Sequence, residues 1–214
     1  MKLHSYPKIY TVGHGALKGF FDGPVWGCEK IDGSQFQFGL VDGQLVCQSH
    51  GKEQTEGPDK LFTTAVEAVK RVQGQLNPAY TYRGEVVASP KHNTICYSLT
   101  PNNFIIIYDI NDGLEAYLSY DDKKAEAARL GFETVPKIFE GTITSPEQML
   151  ALLDRKSILG GTDIEGVVFK RHDLWGKDGK ALIAKFVSEK FKEDHKKDWK
   201  LNGKSSGADI ITKL

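Results

Sequence analysis

The sequence has no excess charge of either sign, little cysteine and no long apolar run. Lysine plus arginine and aspartate plus glutamate each number 28, so the formal net charge is zero. The whole molecule therefore lacks the positive field of many nucleic-acid-binding proteins, and we expect any nucleic-acid surface to be a local patch. No run of 18 apolar residues occurs, and residues 1–10 lack the apolar core of a signal peptide. We therefore expect a cytoplasmic protein that does not contact a membrane.

Cysteine is too scarce to build a disulfide framework or a zinc site. Cys28, Cys47 and Cys96 are odd in number and widely spaced, which fits neither pattern. Two of the three lie in β-rich runs, where a free thiol behaves as a small buried apolar group. The cysteine content therefore indicates a reducing compartment.

The remaining sequence predicts one α+β domain, residues 1–214, built on antiparallel strands with peripheral helices. Its length is enough for a full core, and it contains no internal repeat or linker. Asp-Gly pairs at 32–33, 42–43 and 112–113 separate β-rich runs, which is a strong hairpin signal. The predicted strands are 8–12, 25–31, 35–41, 44–48, 81–88, 95–99, 104–110, 114–119, 164–171 and 181–187. The predicted helices are 58–72, 121–130, 146–155 and the polar segment 188–200, followed by a short final element.

Lys30 occupies the most informative position, between the strand-like run 25–31 and the Asp32-Gly33 turn. A lysine ammonium is a poor nucleophile, with an ordinary pKa of about 10.4. Burial beside other cations, or contact with a metal-bound triphosphate, can activate it for attack on phosphorus. The pattern Lys-x-Asp-Gly is short, and a solvent-facing lysine beside an ordinary hairpin fits it equally well.

Four later segments place candidate nucleotide-site residues on strands or at their ends. Glu85 follows Arg83 by two residues and shares its strand face, and Tyr108 closes an apolar run. Glu165 begins a strand, and Lys185 interrupts an apolar one. Each has a plain structural alternative: an exposed charge, a core aromatic, a loop border or a lysine that extends to solvent. With Lys30 they supply a nucleophile, two carboxylates for a metal, an aromatic for a base and a second cation, which nucleotidyl transfer requires.

The order of these segments resembles that of the covalent nucleotidyltransferases, the superfamily of polynucleotide ligases and mRNA-capping enzymes. The resemblance is closest to the RNA ligases of the RNA ligase 2 type and covers nearly the whole chain. No single motif is specific, but the ordered set is. The matching segments are Pro7-Lys8-Ile9, Glu29-Lys30-Ile31-Asp32-Gly33, Arg83-Gly84-Glu85, Ile106-Ile107-Tyr108-Asp109, Glu165-Gly166-Val167-Val168, Ala184-Lys185-Phe186 and Phe191.

The resemblance implies an antiparallel-sheet nucleotidyltransferase domain, an ATP-grasp-like ligase adenylation fold, that uses ATP with Mg²⁺ or Mn²⁺. Lys30 would attack the α-phosphate and carry AMP, which then passes to an RNA 5′-phosphate before a 3′-hydroxyl seals the strand. The resemblance also implies a nucleotide-binding set, in which Glu29 contacts the adenine, Tyr108 stacks on it and Ile31 lies beside them. Glu85 would contact the ribose or a metal, and Glu165 would bind the metal. Lys185 would neutralise phosphate charge and keep Lys30 deprotonated.

The chain departs from the family pattern in three places. The arginine that usually follows the hairpin after the lysine motif is absent, and only His50 or Lys52 is available there to contact the 5′-phosphate. The last motif has Val187 where a second lysine is frequent. About 27 residues follow that motif, so we expect no C-terminal OB-fold. RNA binding would then depend on the core domain, the basic segment 190–200, a homodimer or a partner protein that heals ends or binds RNA.

Two other classes of function stay open on the sequence. A DNA ligase or a GTP-using capping enzyme would keep the lysyl-nucleotide chemistry, although both usually carry an OB domain. A nucleotide- or RNA-binding module without catalysis is the third reading. This sequence retains Lys30, Glu85, Glu165 and Lys185, which argues against a non-catalytic module. The missing arginine argues weakly for one.

Overall fold

Two sheets dominate the fold, with helices packed on their outer faces. The computed structural model describes residues 3–54, 60–189 and 192. In the described residues the strands are β1 (Ile9–Thr11), β2 (Val25–Lys30), β3 (Ser34–Val41), β4 (Gln44–Ser49), β5 (Lys52–Glu53), β6 (Tyr80–Val86), β7 (Ile105–Asp112), β8 (Ala116–Tyr117), β9 (Glu133–Thr134), β10 (Lys137–Gly141), β11 (Gly166–Trp175) and β12 (Ala181–Val187). The α-helices there are α1 (Lys60–Val72), α2 (Tyr120–Arg129) and α3 (Pro146–Ala151).

The first sheet carries Lys30 and has the strand order β1-β12-β11-β2-β10. Within it, β2 pairs antiparallel with both β11 and β10, and β1 pairs parallel with β12. The second sheet follows the order β5-β4-β3-β6-β7-β8, with β9 parallel to β7. Apart from these two parallel pairs, the ladders are antiparallel, as the Asp-Gly hairpins predict.

The outer face of each sheet is apolar. On the second sheet it packs against α1 and α2, and burial of this surface is the main favourable term that holds the layer together. The larger side chains of this core are Phe36, Phe38, Phe62, Val66, Val69, Tyr82, Val86, Ile105, Ile107, Ile110 and Leu130. The outer face of the first sheet packs against α3 and the segment before β2, through Leu17, Phe20, Val25, Met149, Leu152, Val167, Phe169 and Ala184.

The inner faces of the two sheets meet across a polar cleft. A smaller apolar cluster joins them, including Cys28 of β2 and Ile106 of β7. An ion pair between Lys170 of β11 and Asp109 of β7 also spans the sheets, with 2.7 Å between Nζ and Oδ2. The fold therefore separates apolar outer layers from an inner cleft that holds the charged residues of the sequence motifs.

Several predicted elements are confirmed, and others are shorter or absent. The predicted helix 121–130 is α2, and Ser145 caps α3 ahead of Pro146 as predicted. Helix α3 ends at Ala151 instead of 155, and the predicted strand 114–119 is reduced to β8. The predicted helix 188–200 and the final element lie almost wholly outside the described residues. None of the helices in the described part of the chain is long and apolar enough to cross a membrane.

The prediction of a strand over 95–99 is wrong. That segment forms a single bridge between Lys91 and Cys96 within an irregular loop. The physical reason lies in the Asp32 carboxylate, which accepts hydrogen bonds from the amides of Thr94 and Ile95 at 2.8 and 2.7 Å. Because these two amides donate to a side chain, they are not available for the hydrogen bonds of a strand ladder.

Candidate active site

Lys30 is the last residue of β2 and projects into the inner cleft. Its Nζ lies 2.8 Å from Oε1 and from Oε2 of Glu165. The register explains this contact, because Gly166, the next residue after Glu165, pairs with Lys30. A Cβ on Gly166 would lie 2.3 Å from the carbonyl oxygen of Phe186. Only glycine therefore allows β11 to approach β12 closely enough to place Glu165 at this point.

Two carboxylates share the space around Lys30. Burial raises the pKa of Glu165 to about 7, although Lys30 opposes the shift. Burial also raises the pKa of Glu85 of β6 to about 8, with Lys30 opposing and Glu165 adding to the shift. Because the two acids repel each other in a partly desolvated cleft, the site favours an added positive charge. Raised carboxyl pKa values of this kind are frequent at functional sites.

Lys185 of β12 joins this group, but it does not lower the pKa of Lys30. Burial favours the neutral amine of Lys30, yet Glu165 and Glu85 outweigh it, so the pKa of Lys30 is raised. The pKa of Lys185 is the one that is lowered, by burial and by the charge of Lys30. The like-charge depression expected for Lys30 is therefore not found in this structure, because Glu165 binds Lys30 directly.

The turn after Lys30 is held by the loop 88–98. The Tyr97 hydroxyl accepts a hydrogen bond from the Asp32 amide at 2.7 Å, and Asn93 Nδ2 donates to the Gly33 carbonyl at 2.6 Å. A Cβ on Gly33 would meet the Val86 carbonyl at 2.5 Å. The turn is thus fixed from both sides, which restricts Lys30 to the cleft. The sequence carries no local signal for this role of the loop, because its contacts join residues about 60 positions apart.

Tyr108 reaches the cleft through a β-bulge. In the β6–β7 ladder Arg83 pairs with Asp109 and Gly84 pairs with Ile107, which leaves Tyr108 without a partner. A bulge of this kind turns neighbouring side chains toward one face, and both Tyr108 and Asp109 lie toward the first sheet. The Tyr108 ring is half-buried and meets the ring of Tyr6 edge-on at a centroid distance of 5.3 Å.

Behind Tyr108 lies a set of buried charges that the sequence analysis did not select. Asp109 binds Lys170 and accepts a hydrogen bond from the Tyr6 hydroxyl. Lys123 of α2 joins them, and Arg83 binds Gln37, Asn111 and the carbonyl oxygen of His4. All four charged side chains are at most 1% exposed. One sequence signal was available, because Lys170 directly follows the apolar residues Val167 to Phe169 of a predicted strand.

Glu29 and Ile31 flank Lys30 without sharing its direction. Strand alternation turns Glu29 to the opposite face of β2, where its Oε2 accepts a hydrogen bond from the Ile158 amide at 3.0 Å. Ile31 is buried in the cluster that joins the sheets. Their contact with a nucleotide stays a prediction.

His50 and Lys52 are exposed in the hairpin between β4 and β5, at the edge of the second sheet. His50 and Gly51 both have positive φ, 47° and 76°, as a tight two-residue hairpin turn requires. The β3–β4 pairing reaches Gln48, which pairs with Gln37, so His50 follows the end of that ladder by two residues. Their contact with a 5′-phosphate also stays a prediction.

Glu85 and Glu165 are the residues that fit a divalent metal. Mg²⁺ and Mn²⁺ prefer carboxylate oxygen, and Mg²⁺ usually binds one or two carboxylates together with water and substrate phosphates. The described residues contain no cluster of three or more His, Cys, Asp or Glu side chains arranged for a metal. The donor set therefore fits a metal that arrives with a phosphate ligand better than a closed structural site.

Two sheets that enclose a lysine, two acids and a second lysine define a nucleotidyltransferase-type ligase domain. The RNA ligase family model matches residues 23–187, most of the sequence. This chain belongs to the RNA ligase family.

Solved structures of similar fold include the Naegleria gruberi RNA ligase with pyrophosphate, with a TM-score of 0.69, 20% identity and coverage of 92% of this chain and 60% of that one. A lysine-to-alanine variant of the same ligase with ATP and manganese gives a TM-score of 0.70 at 20% identity, covering 91% of this chain and 60% of that one. This chain thus spans 60% of the length of these structures, and the likeness is one of fold. No curated protein matches the sequence.

Proposed function

We propose that this protein is an ATP-dependent RNA ligase that forms a covalent lysyl-AMP on Lys30. The observation that supports this most is the contact of Lys30 with Glu165, with Glu85 and Lys185 in the same electrostatic group. Membership of the RNA ligase family supports the same chemistry. The related Naegleria ligase has been solved with ATP and manganese and with AMP and manganese.

In the first step the neutral amine of Lys30 attacks the α-phosphorus of ATP. A nitrogen–phosphorus bond forms, the bond to the bridging oxygen breaks, and pyrophosphate leaves with the electron pair. The ammonium group of Lys30 must lose a proton to become this neutral amine. The Glu165 carboxylate accepts a hydrogen bond from Nζ, and its own pKa is about 7, so Glu165 is the proton acceptor within reach. Lys185 neutralises charge on the phosphates.

Glu165 and Glu85 are the residues that would hold Mg²⁺ or Mn²⁺. When bound, the metal supplies positive charge that offsets the carboxylates and the triphosphate. This matters for Lys30, because the same carboxylates raise its pKa and oppose its reactive neutral form.

Tyr108, Ile31 and Glu29 form the proposed adenine site, with the Tyr108 ring as the stacking surface. In the later steps AMP passes from Lys30 to an RNA 5′-phosphate, and a 3′-hydroxyl then displaces AMP to seal the strand. His50 or Lys52 contacts that 5′-phosphate. The rest of the RNA is held by the core domain, a second copy of the chain or a partner protein, in the cytoplasm.

The test compares ATP labelled at the α-phosphate with ATP labelled at the γ-phosphate, followed by addition of a nicked RNA duplex with a 5′-phosphate. We expect label on the protein from the α position only, none on a Lys30→Met variant, and transfer of the label to RNA. Labelling from GTP alone would favour a capping enzyme. Sealing of DNA but not RNA would favour a DNA ligase. Nucleotide binding without label would favour the non-catalytic module.

A further inference from the structure

Two buried lysines lie directly behind Tyr108. Lys123 comes from α2 and Lys170 from β11, and their ammonium groups donate to the same main-chain oxygen of Tyr108 at 2.9 and 2.7 Å. Lys123 is fully buried and Lys170 is 1% exposed. A backbone carbonyl that accepts from two buried ammonium groups is held more firmly than one in an ordinary ladder, because charge-assisted hydrogen bonds are the stronger class.

The same two lysines also face the ring of Trp26 on β2. Each ammonium nitrogen lies 4.9 Å from the ring centroid, and Lys123 lies 5.1 Å from the ring of Tyr120. Cation–π contacts of this kind are worth most when they are desolvated. The Tyr108 carbonyl is thus connected to β2, β11 and α2 through a single buried cluster.

The carbonyl belongs to the bulge that directs Tyr108 into the cleft. Tyr108 has no partner in the β6–β7 ladder, so its backbone orientation depends on contacts from outside the sheet. Lys170 is already bound to Asp109. Lys123 lies in the field of Asp109 as well, but the hydrogen bond that its ammonium group donates goes to the bulge carbonyl.

The buried position of Lys123 disfavours the charged form of its side chain. Burial and the charge of Lys170 lower the pKa of Lys123 to about 8, with a smaller contribution from Lys137. Asp109 and Cys28 act in the opposite direction. A lysine buried in a site that disfavours its charge is unfavourable for stability alone, so its contribution has to be sought in what it positions.

We infer that Lys123 is a positioning residue that holds the bulged backbone of β7 so that the Tyr108 ring is presented to the base of the nucleotide. The inference rests on the proposed function, because it concerns nucleotide binding in the same cleft. Lys123 lies behind the ring and would touch neither the nucleotide nor Lys30. Its loss should therefore weaken nucleotide binding and leave the covalent step intact.

The test is a Lys123→Met variant, with Lys124→Met on the exposed side of the same helix as the matched control. We expect the KM for ATP in lysyl-AMP formation to rise about tenfold, the effect of losing one charge-assisted hydrogen bond, with the rate at saturating ATP within about twofold. We expect the melting temperature to stay the same or rise, because a buried charge is removed while Lys170 still satisfies the carbonyl. Lys124→Met should match the wild type in all three quantities.

A pH series separates positioning from a general structural role. As the pH rises from 7 to 9 the wild type loses the charge of Lys123, and its KM for ATP should rise more steeply than that of Lys123→Met. Comparing the two profiles removes the titrations of Glu85 and Glu165, which both proteins share. Lys123→Gln, which keeps a donor without the charge, should give an intermediate KM and serves if the methionine variant does not fold.

Three results would contradict the inference. They are an unchanged KM in Lys123→Met and Lys123→Gln, a fall in melting temperature with an equal loss of rate at saturating ATP, or pH profiles that coincide. A wild-type protein that forms no lysyl-AMP under any condition would instead overturn the proposed function. The two failures are therefore distinguishable.

Discussion

The two ends of the inner cleft contain the same kinds of charged side chain, but these side chains differ in burial and in the direction of their carboxyl pKa shifts. At the closed end, Arg83, Asp109, Lys123 and Lys170 are almost completely buried. Burial opposes the ionisation of Asp109, but Lys170 and Lys123 outweigh it and hold its pKa below the ordinary value. At the open end, Lys30 is 24% exposed, and the carboxylates around it have raised pKa values.

The difference shows which charges hold the fold and which are available to a ligand. A buried acid with its bases beside it is satisfied within the protein and connects the sheets. At the open end Glu165 is paired with Lys30, yet the pKa values of Glu165 and Glu85 stay raised, which indicates that a bound cation would lower the free energy of the site. Three variants test this contrast, and they are ordered here from the largest expected effect to the smallest.

Asp109→Asn should destabilise the protein by about 3–5 kcal/mol, because it leaves two buried ammonium groups without their anion. Urea unfolding at pH 7 measures the effect. Asp112→Asn, an exposed position on the same strand, is the matched control and should change the unfolding free energy by less than about 0.5 kcal/mol. Equal effects of the two substitutions would mean that the closed end does not depend on charge pairing.

Glu165→Gln should slow lysyl-AMP formation by about 10²–10³-fold, the range found when one charged or hydrogen-bonding catalytic group is removed, while the unfolding free energy changes little. Single-turnover rates with ATP and magnesium provide the measurement. The exposed acid Glu147 of α3 supplies a control variant, Glu147→Gln. A rate close to that of the wild type would exclude Glu165 from the reaction.

Glu85→Gln should change how stability depends on pH. The folded-state pKa of Glu85, about 8, lies above its ordinary value of 4.5, so the folded protein binds this proton more tightly than the unfolded chain does. The stability contribution is therefore full below about pH 4.5 and is lost as the pH rises through 8. Unfolding free energies measured from pH 5 to 8 should decline less in the variant, by on the order of 1 kcal/mol over the interval. A steeper decline in the variant would contradict the assignment.

The sequence alone singles out Lys30, Glu85, Glu165 and Lys185 as candidates, and the resemblance of their order to that of the covalent nucleotidyltransferases favours them over the plain structural alternatives. The structure places these residues at the open end. Helical periodicity predicts α1, and the Asp-Gly turns predict the hairpins. These features are local, so a short window of sequence contains the information.

The closed end could not be predicted in the same way. Lys123 looks like one more charge on a polar helix, and Tyr6 like part of an irregular lead-in. Their roles arise from contacts with Tyr108 and Asp109, which are 15 and 103 positions away. The bulge at Tyr108 is invisible to periodicity because it depends on the register between β6 and β7. The strand predicted at 95–99 failed for a similar reason, since distant Asp32 binds its amides.

The central claim is that Lys30 accepts AMP, and intact-protein mass spectrometry tests it most directly. The protein is measured as purified, after incubation with ATP and magnesium, and after incubation with GTP and magnesium. We predict a gain of one AMP with ATP, lost in acid as a phosphoramidate should be, and absent from Lys30→Met but present in Lys185→Met. A folded wild-type protein that gains no nucleotide under any of these conditions, or an adduct that persists in Lys30→Met, would contradict the account.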